Sequence, residues 1–188
     1  MSKVFKTMTA MRCSPRDPSA AHRCVRSLAP VIVVLASFLS VPLVAAPELN
    51  KAAPDFALRT FGEGNLRLSE FRGEVVVVNF WATWCGPCQQ ELPRLERLHQ
   101  RYERAGLVLL GINLDDDIDR GRTMVERLTL SFPMLFDRAK EVAREYQLES
   151  MPMTVFIDRE GVIRHVHETF RTDDEALYLE QIRHLLDE

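Results

Sequence analysis

Two thiols stand three residues apart in WATWCGPCQQELP, Trp81 to Pro93: Cys85 and Cys88. A pair that close can exchange with a disulfide, hold a metal ion or staple a loop. A structural zinc or iron–sulfur site takes four ligands. The remaining cysteines, Cys13 and Cys24, lie in a basic leader and are assigned no role, while His99, His165, His167 and His184 are scattered. A staple across so short a loop removes little chain entropy. Thiol–disulfide exchange is the chemistry left, and no cofactor is expected.

Exchange needs a thiolate near neutral pH, so the pair needs a helix start beneath it. The run EVVVVNFWA, Glu74 to Ala82, is continuously β-branched and aromatic and predicts a central strand buried on both faces. Gly86-Pro87 then turns the chain and opens a helix, since proline suits a first turn. Leu92, Leu95, Leu98 and Tyr102 continue it to about Ala105, with a kink expected at Pro93. Cys85 thus falls where unpaired N–H groups and the helix dipole favour its thiolate. Cys88, one turn on, can close a ring onto it.

The other elements follow from period and turn signals. FALRTF (56–61) and NLRLSEF (65–71) flank Gly62-Glu63-Gly64 and predict a hairpin. LVLLGINLD (107–115) predicts a second buried strand, residues 118–130 a helix, 132–137 a short strand and 139–148 a short helix. MTVFIDREG (153–161) runs into VIRHVHETF (162–170) as a hairpin turned at Asp158–Gly161. A capping box, Thr172 with Glu175, is expected to open a last helix. Strands alternating with helices argue an α/β domain in three layers.

The net charge of −3 hides an asymmetry. Six basic residues and one acid give residues 1–27 a charge of +5, while 18 basic and 26 acidic residues give −8 from Pro47 onward. An acidic body leaves a nucleic-acid partner without electrostatic support. Between the two lies LAPVIVVLASFLSVPLVAA, Leu28 to Ala46, which is uncharged. Residues 1–46 therefore read as a signal peptide cut after Ala45 or Ala46, or as an N-terminal membrane anchor through residues 28–46. Met8 and Met11 are alternative starts. Residues 47–188 form the domain, expected in the periplasm or otherwise outside the cytoplasm, released after cleavage or held at the inner membrane.

WCGPC, Trp84 to Cys88, is similar to the active-site motif of thioredoxins. NFWATWCGPCQQELP with MPMTVFIDREG resembles the exported thioredoxin-fold thiol–disulfide oxidoreductases of the TlpA/ResA type, over most of residues 52–188. The resemblance implies a three-layer thioredoxin-like fold with an N-terminal β-hairpin and an inserted α/β element. It makes Cys85 the exposed nucleophile, Cys88 the buried resolving thiol, and Trp84 the aromatic covering them. Glu91 matches an acidic residue thought to assist proton transfer, which a carboxyl raised by burial near a thiol can do; its alternative is a solvated helix carboxylate. Pro152 matches the family's cis-proline, leaving the Met151 backbone to pair with a substrate chain. Gly86-Pro87 between the cysteines, as in the strongly reducing thioredoxins, points to a reductase of disulfide-containing proteins, and in an oxidising compartment a reductase needs an upstream electron donor, expected to be a membrane protein.

Some positions depart from the pattern. Thioredoxins carry a buried aspartate where this chain has Asn79, which shifts proton transfer toward Glu91. The cytochrome c maturation branch usually places an acid directly after the cis-proline, where this chain has Met153. A thiol peroxidase would place Thr or Ser three residues before the reactive cysteine and Pro four before that, where this chain has Ala82 and Val78. A copper-handling metallochaperone is the further alternative, since thiolates suit Cu(I). His165 and His167 share a strand face, read as exposed rather than metal-binding. The acidic run LDDDID (114–119) is read as a helix cap and solvated loop. Met124 and Met134 read as core, and Met151 and Met153 as surface flanking Pro152.

Overall fold

A computed structural model describes residues 49–188. The predicted leader, its boundary at Pro47 and the span 28–46 lie outside the described residues. Within residues 49–188 no helix is long and apolar enough to cross a membrane.

Seven strands form one sheet: β1 (Ala57–Thr60), β2 (Asn65–Arg67), β3 (Val75–Trp81), β4 (Leu107–Asn113), β5 (Met134–Phe136), β6 (Met153–Ile157) and β7 (Ile163–His167). Their order is β2-β1-β5-β4-β3-β6-β7. β3 lies parallel to β4 and antiparallel to β6, and all seven of its residues are buried, as its unbroken apolar run requires. The helices are α1 (Gly86–Tyr102), α2 (Ile118–Leu128), α3 (Glu141–Glu145) and α4 (Asp174–Asp187).

Side chains alternate across β3, so each face builds its own core. Val75, Val77 and Trp81 pack with Leu92 and Leu95 of α1, Met124 of α2, and Tyr178 and Ile182 of α4. Val76, Val78 and Phe80 pack with Val142, Ala143 and Tyr146 on the other face. The three layers and the inserted α2–β5–α3 element match the expected thioredoxin-like architecture.

Three expectations need correction. The second hairpin arm keeps only Asn65–Arg67 as strand, and Leu68–Phe71 turns into a 3-10 helix. Asp55 causes this by accepting the Ser69 N–H at 2.9 Å and its hydroxyl at 3.0 Å, while Leu68 turns into the core. The expected capping box is absent, because α4 starts from Asp173 and Glu175 reaches across to Arg97 instead. Met153 is 1% exposed and belongs to the core, since it is already in the β6 ladder opposite Phe80.

The chain enters the domain far from the cysteines. Asn50 N–H bonds Ile163 O at 2.7 Å, Ile163 N–H bonds Lys51 O at 2.9 Å, and Ala53 N–H bonds Gly161 O at 2.9 Å. This ties residues 50–53 to the β6–β7 turn, which Asp158 closes by accepting Val162 N–H at 2.8 Å.

Candidate active site

Cys85 is the N-cap of α1, with Pro87 in the helix's first turn. The Cys88 N–H, one of the donors left unpaired at a helix start, points at Cys85 Sγ from 3.2 Å. Cys85 and Cys88 are joined in a disulfide, with their Cα atoms 5.3 Å apart. Cys85 is 5% exposed and Cys88 0%. Both sulfurs are therefore buried in the disulfide, and the openly exposed Cys85 that the resemblance implies is instead reduced to an edge slightly more accessible than Cys88.

The loop before Cys85 is fixed through Thr83. Asp115 accepts the Thr83 N–H at 3.1 Å and its hydroxyl at 2.8 Å, and Gln89 Nε2 donates to Thr83 O at 2.9 Å. Asn113 Nδ2 donates to Asp115 at 2.7 Å. The acidic run therefore divides by function. Asp115 is buried and holds the loop, Asp117 caps α2, and Asp116 pairs with Lys140 at 2.8 Å. Sequence reasoning missed Asp115, whose neighbours are the same residue type.

Trp84 is held 67% exposed beside the disulfide. A cavity of about 490 Å³ between it and the 148–151 loop is lined by Cys85, Pro87, Leu148 and Met151. Met151, Leu148 and Trp84 also line a neighbouring cavity of about 580 Å³ that reaches Ala143 of α3. The Met151–Pro152 peptide is cis, and Pro152 is buried behind Met151. Trp84, Cys85 and Met151 thus meet at one concave surface.

Glu91 lies one helical turn beyond Cys88 on α1 and is fully buried, so the solvated alternative is excluded. Its Oε1 accepts the Thr154 hydroxyl at 2.7 Å and the Tyr178 hydroxyl at 2.8 Å, and its Oε2 accepts Asn79 Nδ2 at 2.8 Å. Asn79 Nδ2 also donates to Thr154 Oγ1 at 2.8 Å. These four residues come from α1, β3, β6 and α4. They meet because Asn79 points to the same face of β3 as Val77 and Trp81, the face that α1 and α4 cover. Burial pushes the Glu91 carboxyl up to about 7; the hydrogen bonds from Thr154, Tyr178 and Asn79 work against that rise, and the Asp174 charge adds to it. A carboxyl titrating there can both take and return a proton near neutrality. Sequence reasoning singled out Glu91 and Asn79 but missed Thr154 and Tyr178.

The alternatives have little to build on. Val78 and Ala82 are buried and apolar, so neither offers a hydroxyl beside Cys85. Among the described residues no group of three or more His, Cys, Asp or Glu side chains could hold a metal ion. His165 and His167 do share a face, and both rings stand edge-on to Phe156.

The family model described as AhpC/TSA matches residues 49–166. The thiol-disulfide oxidoreductase ResA of Geobacillus kaustophilus is 33% identical over 139 residues, covering 73% of this chain and 80% of that protein. A solved structure assigned as the thiol:disulfide interchange protein DsbE of Chlorobium tepidum superposes with a TM-score of 0.73 at 32% identity, covering 75% of this chain and 99% of that one. A secreted thiol-disulfide isomerase of Corynebacterium glutamicum gives 0.66 at 27% identity, over 72% and 86%.

Proposed function

We propose that this chain, which belongs to the AhpC/TSA family and is a thiol-disulfide oxidoreductase of the ResA type, works outside the cytoplasm as a reductase of protein disulfides. The observation that carries the reading is the Cys85–Cys88 disulfide at the start of α1, one turn from a buried carboxyl poised near neutral pH.

The Cys85 thiolate, favoured by the Cys88 N–H and the helix start, attacks one sulfur of a substrate disulfide and releases the other as a thiolate. Glu91 takes the proton of the Cys88 thiol. The Cys88 thiolate then attacks Cys85 Sγ, the Cys85–Cys88 bond forms, and the second substrate sulfur leaves as a thiolate. Two electrons pass from the dithiol to the substrate, and the proton held by Glu91 returns to the leaving thiolate or to water. Trp84 and Met151, with Pro152 behind, form the surface on which the substrate chain rests.

Gly86-Pro87 between the cysteines supports the reducing direction, since the same pair occurs in thioredoxin, at about −270 mV. The charged-then-apolar leader and the likeness to a secreted isomerase support export. A reductase in an oxidising compartment needs an upstream donor, and a membrane protein able to carry electrons across the bilayer fits that need.

The reduction potential of the pair, measured by equilibration against glutathione and dithiothreitol, tests the direction. A value near about −250 mV or below supports the reductase, and one near about −120 mV makes the protein an oxidant. A pair that forms no intramolecular disulfide defeats the redox role altogether.

A further inference from the structure

We infer that Tyr178 is a positioning residue of the redox site, its hydroxyl reaching from α4 to hold the Glu91 carboxylate in place for the proton of Cys88. The inference rests on the proton-transfer role given to Glu91 above.

Packing alone does not account for the hydroxyl. Tyr178, Ile182 and Leu185 form the buried stripe of α4, and the Tyr178 ring stands edge-on to Phe156 at 5.2 Å and tilted against Phe170 at 6.2 Å. A phenylalanine would fill that slot without bringing a buried polar atom that demands a partner. The phenol oxygen instead ends 2.8 Å from Glu91 Oε1, across 87 residues of sequence.

The three donors to Glu91 differ in freedom. The Asn79 amide nitrogen only donates, and the Thr154 hydroxyl is engaged on both sides, receiving from Asn79 while giving to Glu91. A phenol can donate to a carboxylate and accept from a carboxylic acid. Tyr178 can therefore follow Glu91 through both charge states. The helix that carries it is fastened to the helix that carries Glu91. Arg97 Nη2 binds both oxygens of Glu175 at 2.8 Å, Arg94 pairs with Glu175 at 3.4 Å, and the Arg94 guanidinium lies 5.2 Å over the Phe170 ring.

The other ionisable and charged groups around this pair are Cys88 and Arg94 on α1, Asp174 and Glu175 on α4, and His167 on β7, whose ring lies 4.9 Å from that of Tyr178. Of these, Asp174 pushes Glu91 in the direction opposite to Tyr178, by like charge rather than by a donated proton.

The test is the pH profile of protein-disulfide reduction by the full chain, run beside a carbon-13 titration of the Glu91 carboxyl in the oxidised form. Removing a donor to the ionised form disfavours it, so Tyr178→Phe is expected to move the acid limb and the carboxyl titration to higher pH, by about tenfold in proton concentration. Replacing Tyr178 by a fluorinated tyrosine, a stronger donor, should move both the other way. If neither change moves the limb or the titration, even with a loss of thermal stability, Tyr178 is packing only and the inference fails. It also fails if His167→Gln moves the limb and Tyr178→Phe does not. Glu91→Gln separates the two readings. A limb that survives it removes the proton-transfer role of Glu91 and this inference together. A limb lost in Glu91→Gln but unmoved in Tyr178→Phe removes only the role of Tyr178.

Discussion

Asn79 and Thr154 stand directly opposite each other across β3 and β6, and their side chains are joined at 2.8 Å. One leads by strand into the Cys85 loop, and the other follows Pro152 by two residues. The pair therefore locks the two walls of the site together, and Glu91 completes the bond set from above. Among the described residues Asn79 Oδ1 has no hydrogen-bond partner, while its nitrogen serves two acceptors. The amide is thus turned to favour Glu91 as an anion.

Trp84 offers a clean separation of binding from folding. Its exposure means that Trp84→Ala should change stability by less than about 0.5 kcal/mol. It should raise KM for a protein disulfide by roughly tenfold, as loss of an aromatic anchor does, while leaving the reduction potential alone. Steady-state kinetics on a protein disulfide and on oxidised glutathione check this, and an equal loss on both would speak against a docking role.

Burial of Glu91 makes the oxidised protein's stability depend on pH with a defined sign. Its carboxyl titrates at about 7 when folded against 4.5 as reference, so between those values the native state binds more protons than the unfolded one. Stability contributed by the protonated form is complete below about pH 4.5 and is lost as pH rises through about 7, a change on the order of 3 kcal/mol. Urea unfolding across that window should show a decline that Glu91→Gln flattens. Parallel slopes in the two proteins would contradict it.

Asp115 is the anchor of the loop that delivers Cys85. Asp115→Ala strands the buried Asn113 amide and frees the Thr83 N–H and hydroxyl, at a cost of about 2–4 kcal/mol. Asp115→Asn, which keeps one acceptor, should recover part of that. Urea midpoints with the disulfide intact measure both, and an Asp115→Ala protein as stable as the wild type would remove the anchoring role.

Gly111 lies in β4 where side chains from three directions converge. A methyl group there would come within 2.5 Å of Met134 Sδ, 3.1 Å of the Phe132 ring and 3.2 Å of Trp81 Nε1. The thioether can swing away and the two rings cannot, so Gly111→Ala should cost about 1–3 kcal/mol. Pairing it with Met134→Ala should recover only a fraction, and full recovery would place the whole clash on the methionine.

What could be read from the chain alone depended on periodicity. The β3 run, the Gly-Pro turn and the leucines of α1 each carry a local pattern, so Cys85 and Cys88 could be placed on a helix start before any fold was known. Tyr178 carried a pattern too, because 178, 182 and 185 keep helical spacing, yet the leucines at 177 and 179 made the stripe hard to choose. Asp115 had no local mark, since burial separates it from Asp116 only once β4 and Thr83 are in place. Met153 read as surface because it neighbours Pro152, and the sheet register decided otherwise. Contacts such as Glu91 with Thr154 and Tyr178 span 63 and 87 residues and exist only in the assembled layers.

The bonds that tie residues 50–53 to Gly161 and Ile163 lie at the end of the sheet where β6 finishes and β3 begins, while Cys85 follows the end of β3. Seven strand residues, about 20 Å, separate those poles. A handle joined at residue 49 itself therefore grips the domain of residues 49–188 from behind. Held that way on a bead or a sensor chip, the domain turns its disulfide outward to whatever diffuses past, and its point of attachment does not compete with a partner for the same side.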